Sequence, residues 1–304
     1  MRPALSIVFF TVSSGAGLGL LALLALADLF KLGGGLSVAQ ILSGGMLGLV
    51  LVAAGLVSST LHLANPKNAW RAFTRFATSW LSREAVFAAA FFPLCALYLA
   101  GVFWQQPWRA FAALLVVALA WTVLYCTAMI YGSLKPIRQW HTPLTPLNYL
   151  LLGHASGALL LLWVAERGQT RIAPYVVLAL ALLSAGAAAK LAYYARTRRD
   201  GGATLGHALG VKTAAQVKLL DAGHTHGTFL SAEFVFTLAR AHAARLRAAV
   251  WAFGFAAPAL LAAAFPDAAL GAALLCLAGL LAERWLFFAE AQHTVALYHG
   301  ARRV

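Results

Sequence analysis

Acidic residues are scarce in this 304-residue chain: 9 Asp and Glu stand against 23 Lys and Arg, and charged residues of all kinds reach only 11%. An average soluble protein is about 25% charged, so the chain cannot dress a water-facing surface in the usual way. That excludes a cytosolic enzyme and a disordered tail. Cysteine is equally sparse. Cys95, Cys126 and Cys276 each stand alone in an apolar run, with no CxxC and no Cys/His ligand spacing. A secreted disulfide scaffold, an iron–sulfur cluster held by this chain and a structural zinc are thereby excluded, and the three thiols read as buried and inert. The Gly201-Gly202…Gly206 run lacks GK[ST] and a strand–helix context, so it is no phosphate loop. His224 and His226 have no further ligands at metal spacing.

What is present in excess is apolar length. Hydrophobic residues make up 62% of the chain and its mean hydropathy is +0.80. At roughly 20 residues per bilayer crossing, this supplies about eight spans. The runs fall near 5–30, 38–61, 84–104, 109–132, 147–165, 173–195, 244–265 and 268–292. The first is too long for a signal-peptide core and is kept as a helix. Small residues in the first two runs (Ser13, Ser14, Gly15, Gly17 and Gly19; Gly44, Gly45 and Gly48) allow close helix contact. The expected fold is an all-α polytopic membrane protein of eight helices, arranged as two four-helix bundles. It forms one integral membrane domain over 1–304, with residues 196–243 as an ordered extramembrane loop between the sixth and seventh helices.

The +14 net charge is distributed by side. Let side A carry the N-terminus, the even-numbered loops and the C-terminus. It holds 17 Lys and Arg against 4 on side B, and 9 against 4 when the long loop is discounted. Side A is therefore expected in the cytoplasm with both termini. The basic excess is explained by topology first and by anionic lipid or an acidic partner second, not by nucleic acid. All nine histidines also fall on side A or in the helix ends nearest it.

Chemistry-bearing residues gather on that side. His62 closes the second run and Glu84 opens the third, where hydrocarbon begins. A carboxyl at that depth beside an imidazole suits proton exchange, and quinone chemistry moves two protons with two electrons at the ring oxygens. The plainer alternative is that Ser82 caps the third helix and Glu84 is a favourable first-turn acid. In the eighth run, Glu283, Arg284 and Glu290 lie too deep to face lipid. They either line a quinone pocket or relay protons, or they form an ion pair that holds the last helix. In the fourth loop, Lys135 and Arg138 between Tyr131 and Trp140 read as an interface anchor or as a partner-docking loop. Histidines placed for a haem (His154, His242, His293) sit near the side-A ends, so no haem is expected.

Four stretches together resemble the membrane-anchor subunits of DMSO reductase (DmsC type). They are Ser6-Ile7-Val8-Phe9-Phe10-Thr11 with Ser14-Gly15-Ala16-Gly17; Ser59-Thr60-Leu61-His62-Leu63 with Ser79-Trp80-Leu81-Ser82-Arg83-Glu84; Met129-Ile130-Tyr131 with Leu134-Lys135-Pro136-Ile137-Arg138-Gln139-Trp140; and Glu283-Arg284-Trp285-Leu286-Phe287-Phe288-Ala289-Glu290-Ala291. The resemblance implies an eight-helix anchor without haem that binds quinone, either menaquinone or ubiquinone. It further implies an iron–sulfur partner subunit and a molybdopterin catalytic subunit, so that both those cofactors lie outside this chain. The family's quinol-site histidine falls on His62 and its essential acid on Glu84, with Arg71 and Arg83 as neighbours. Because the basic count places side A in the cytoplasm, the sulfite-oxidising relatives (SoeC type) fit better than DMSO reductase, whose catalytic subunits are periplasmic. A secondary transporter is the alternative of another class, but the spans contain few prolines and the charges avoid the midplane. An anchor without quinone is the other alternative.

Overall fold

A computed structural model describes residues 3–61, 65–199, 202–211, 217, 220 and 238–299. Eight helices in it are long and apolar enough to cross a membrane. The first six are α1 (Leu5–Leu29), α2 (Val38–Thr60), α3 (Trp80–Phe103), α4 (Arg109–Gly132), α5 (Leu144–Glu166) and α6 (Ala173–Arg199). A single turn, α7 (Leu205–Ala208), follows. The seventh span is composite: α8 (Leu238–Ala249), a π-helical stretch (Val250–Ala256) and α9 (Ala257–Ala264). The eighth is α10 (Ala269–Ala289). Among the described residues there is no strand.

The helices close into two rings. In the first, α1 packs on α2, α2 on α3, α3 on α4 and α4 back on α1. In the second, α5 packs on α6, α6 on the seventh span, that span on α10 and α10 on α5. The rings meet chiefly through α1 and α5. A helix apolar on every side belongs in a core, and α1 is one: 89% of its central window is buried, against 33% for α2, whose outer face is left to lipid.

Glycine spacing sets the α1–α5 seam. Gly15 and Gly19 on α1 meet Gly153 and Gly157 on α5, each pair four residues apart. A Cβ on Gly19 would collide with the Gly153 carbonyl, and one on Gly157 with the Gly19 backbone. With no hydrophobic gain between helices in lipid, such backbone approach is what dispersion packing requires. On side B, Gln40 joins the rings. Its side chain closes a capping box with Ser37 and donates to the Val164 and Ala165 carbonyls at the end of α5 (3.1 and 2.9 Å). In the seventh span, Pro258 has no N–H for the Gly254 carbonyl, and the preceding stretch widens to π. Gly254 there lies against Gly279 of α10.

Two expectations need correction. The third helix begins at Trp80, four residues before the expected Glu84, because Ser79 caps it by accepting from Ser82 N (3.3 Å). Ser82 is therefore not the cap, and Glu84 lies a full turn inside the helix. The sixth helix continues to Arg199, and α8 begins at Leu238. Within the expected 196–243 loop, Leu205 of α7 and the preceding Ala203 pack with Ala296 and Leu297. His224, His226 and most of 200–237 lie outside the described residues.

Candidate functional site

The loop after α2 folds back onto the start of α3. Residues Pro66–Phe73 form a 3-10 helix, and the Ser82 hydroxyl donates to the Ala72 carbonyl while accepting from Arg75 N (3.0 Å). Arg83 fastens the same loop. Its Nε donates to Phe76 O (3.0 Å), its Nη2 donates to Ala77 O (2.7 Å), and its guanidinium lies 4.3 Å from the Trp80 ring centre. Arg71 is exposed beside Trp70 and does not reach Glu84. His62 lies outside the described residues. Of the residues expected around Glu84, then, Arg71 and Arg83 are placed on the surrounding loop and helix start, and neither touches its carboxyl.

Glu84 is 4% exposed, facing α4. Among the described residues its hydrogen-bond partner is the Thr127 hydroxyl, and no ion pair to a cation is formed. Thr127 has one proton and two acceptors in reach, Glu84 Oε1 and the Val123 carbonyl (3.0 Å). With Glu84 ionised, Thr127 donates to it and leaves Val123. With Glu84 protonated, the acid donates to Thr127, which turns to Val123. The pair is built to accept a proton without leaving a hydrogen unspent. This donor set fits a quinone oxygen, which needs a proton-exchanging group screened from bulk water.

Sequence reasoning missed Thr127, since a lone Thr in an apolar run carries no signal before its partner is known. One turn beyond it, Tyr131 enters an aromatic cluster with Tyr149 (5.9 Å, stacked), Trp140, Phe287 and Phe288. Trp140 is buried, stacked on Phe287 at 5.2 Å with its indole N–H donating to the Phe287 carbonyl (2.9 Å). The fourth loop thus turns inward at Trp140, while Lys135 is exposed and Arg138 half-exposed.

Beyond the aromatics lies a second polar group. Glu283 is fully buried and accepts from both Lys190 of α6 and Arg284. Arg284 lies 4.2 Å from the Tyr149 ring centre and 5.0 Å from that of Phe287. Glu290, expected with them, pairs instead with Arg247 at 2.6 Å. Glu283 and Arg284 therefore form an ion group binding α10 to α6, and Tyr131 and Tyr149 stand between it and Glu84. His154 is used on both ring nitrogens: Nδ1 contacts the Leu150 carbonyl (2.8 Å) and Nε2 accepts from the Trp121 indole (2.9 Å).

Compared with known families, residues 1–289 match the model of the DMSO reductase anchor subunit, DmsC. The chain belongs to that family. The anchor is also 34% identical, over 328 aligned positions, to the C subunit of the sulfite dehydrogenase of Allochromatium vinosum. That alignment covers 98% of the anchor and 99% of its relative. No solved structure matches. The anchor is thus a multi-pass membrane protein of a family whose members serve as subunits of oxidoreductase complexes, as its eight apolar helices require.

Proposed function

We propose that this anchor is the quinone-reactive membrane subunit of a three-subunit molybdopterin oxidoreductase, passing electrons from sulfite oxidation to the quinone pool. The observation that carries the quinone reading is Glu84: a buried acid one turn below side A, without a cation partner among the described residues, held by a hydroxyl that can reverse its donation. The sulfite assignment is supported by the relative, a sulfite dehydrogenase subunit aligned almost end to end. A quinone held here would supply the two-electron chemistry, with an iron–sulfur partner subunit linking it to the molybdopterin catalytic subunit. The residues of this chain position it and manage its protons. Glu84 holds a proton at its carboxyl, Thr127 orients that carboxyl, and His62, two positions after α2 in the sequence, serves the opposite oxygen. Arg71 belongs to the basic loop over the site, and Arg83, at the start of α3, fastens that loop.

In this reading the protein lies in the inner membrane with both termini and the partner subunits on the cytoplasmic side. The excess of Lys and Arg on side A supports that orientation. The test separates quinone chemistry from catalysis in the partners. In purified complex, Glu84→Gln and His62→Ala abolish sulfite-dependent quinone reduction, while reduction of an artificial dye by the catalytic subunits continues. Full quinone-linked turnover in both variants would remove these residues from the site.

A further inference from the structure

With both of its basic groups protonated, the ion group on α10 has an odd charge. Glu283 is one carboxylate, fully buried, and it holds two cations, Lys190 and Arg284, which are 2% and 4% exposed. The neighbouring Arg247–Glu290 pair is neutral and leaves the excess untouched. Among the described residues the Arg284 Nη atoms have as polar neighbour the hydroxyl of buried Tyr149, which faces the guanidinium without closing a hydrogen bond of good geometry, and the phenol proton and the remaining guanidinium protons find no acceptor. Both residues line a cavity of about 20 Å³ between α1, α5 and α10, together with Thr11, Ser156, glycine and apolar carbon. Thr11 and Ser156 spend their hydroxyl protons on backbone carbonyls one turn before them.

An unbalanced buried charge and orphaned donors are each costly in low dielectric. The cavity holds one water-sized particle, far short of a quinone ring. A water would take up the loose hydrogen bonds and leave the charge. A monovalent anion takes up both, since the guanidinium and the phenol are donors. We infer that this cavity is a site for a single halide-sized anion, chloride being the available member of that class, which neutralises the Lys190–Glu283–Arg284 group where α10 meets α1 and α5. Opposing cation–π contacts do not remove the need, because the rings of Tyr149 and Phe287 attract Arg284 without cancelling its charge.

The site stands independently of the quinone reading and is tested without turnover. Full-length protein in its complex is exchanged into gluconate and titrated with chloride or bromide at constant ionic strength. Its melting temperature is expected to rise saturably with halide, as for any ligand of the native state. Arg284→Gln removes both the donors and the excess charge and should abolish the rise. Lys190→Met removes the excess charge and one partner of Glu283 without changing the cavity's lining, and Tyr149→Phe removes only the phenol donor. Each should weaken halide binding about tenfold or more, and they carry the test if Arg284→Gln does not fold. Anomalous scattering from bromide in this cavity would place the ion directly. A melting temperature indifferent to halide, or an equal response in wild type and all three variants, overturns the proposal; the first outcome leaves the cavity to water and the second reports surface screening of a chain with +14 net charge.

Discussion

At the scale of single residues, the two buried acids near side A differ in what answers them. Glu84 meets a hydroxyl, Glu283 meets two cations, and the difference separates exchange of a proton from fixation of a helix. Thr127→Val keeps the shape of the side chain and removes the hydroxyl, leaving Glu84 without that partner. Loss of a hydrogen bond to a group of this kind costs about 1–3 kcal/mol. Quinone-linked turnover is therefore expected to fall about tenfold or more, with dye-linked activity of the complex unchanged. An unaltered quinone rate would mean that Thr127 does not orient the acid. Glu283→Gln instead leaves two cations buried together, and removing one partner from a buried ion pair costs about 3–5 kcal/mol. Lys190→Met leaves Glu283 with Arg284 and should be the milder change, the order being read from thermal melts of the purified protein. Both acids were visible in the sequence because a charge inside an apolar run is conspicuous. Their partners were not. Lys190 lies 93 positions from Glu283 and Thr127 lies 43 from Glu84, and nothing local in either segment indicates which helix will face it. Asp28 escaped notice altogether: on side B it is 3% exposed and accepts from Lys31 three residues on (3.0 Å) and from Tyr98 of α3 (3.2 Å), the second a partner that only the fold supplies.

At the scale of helices, apolar run length located all eight spans, since lipid demands that length whatever the packing. Ends and tilts were less legible because they depend on side-chain contacts. Trp80 and Leu81 look like loop beside Arg83, yet the Ser79 cap starts α3 before them and draws Glu84 a turn, about 6 Å, deeper. The glycines of α1 were conspicuous as a group, but their counterparts Gly153 and Gly157 gain meaning only once α5 is known to be the neighbour. The seam makes a sharp contrast testable. Gly157→Leu must drive a side chain into the Gly19 backbone, separating α1 from α5 and the two rings from each other. Its expected result is loss of the folded, monodisperse protein in detergent. Gly271→Ala near the start of α10 meets open space, and alanine there removes glycine's backbone freedom. It should be neutral or stabilising by about 0.5–1 kcal/mol. If both glycines tolerated substitution equally in thermal melts, close backbone approach would not be what joins the rings.

At the scale of the whole molecule, two closed rings share one polar storey. Glu84, Thr127, Tyr149, Lys190 and Glu283 each lie within about three turns of the side-A end of their own helices, on five different helices. Side B has the Gln40 and Asp28 latches and otherwise little charge, so the protein is chemically one-sided. Which side of the membrane that face occupies decides where the partners must be. The three native cysteines are buried, which gives low background for thiol labelling. A cysteine introduced at exposed Lys135 reports side A, and one at exposed Gln106 reports side B. With a membrane-impermeant maleimide on intact cells, Gln106→Cys is expected to label through the periplasm, while Lys135→Cys labels only after lysis. The expectation rests on retention of Lys and Arg in the cytoplasm, and the imbalance survives when the long loop is discounted. The reverse pattern would place Glu84 and the basic loop at the periplasmic face. The lysines and arginines would then have to be explained by docking of an acidic subunit there, and the arrangement would be that of a DMSO reductase anchor.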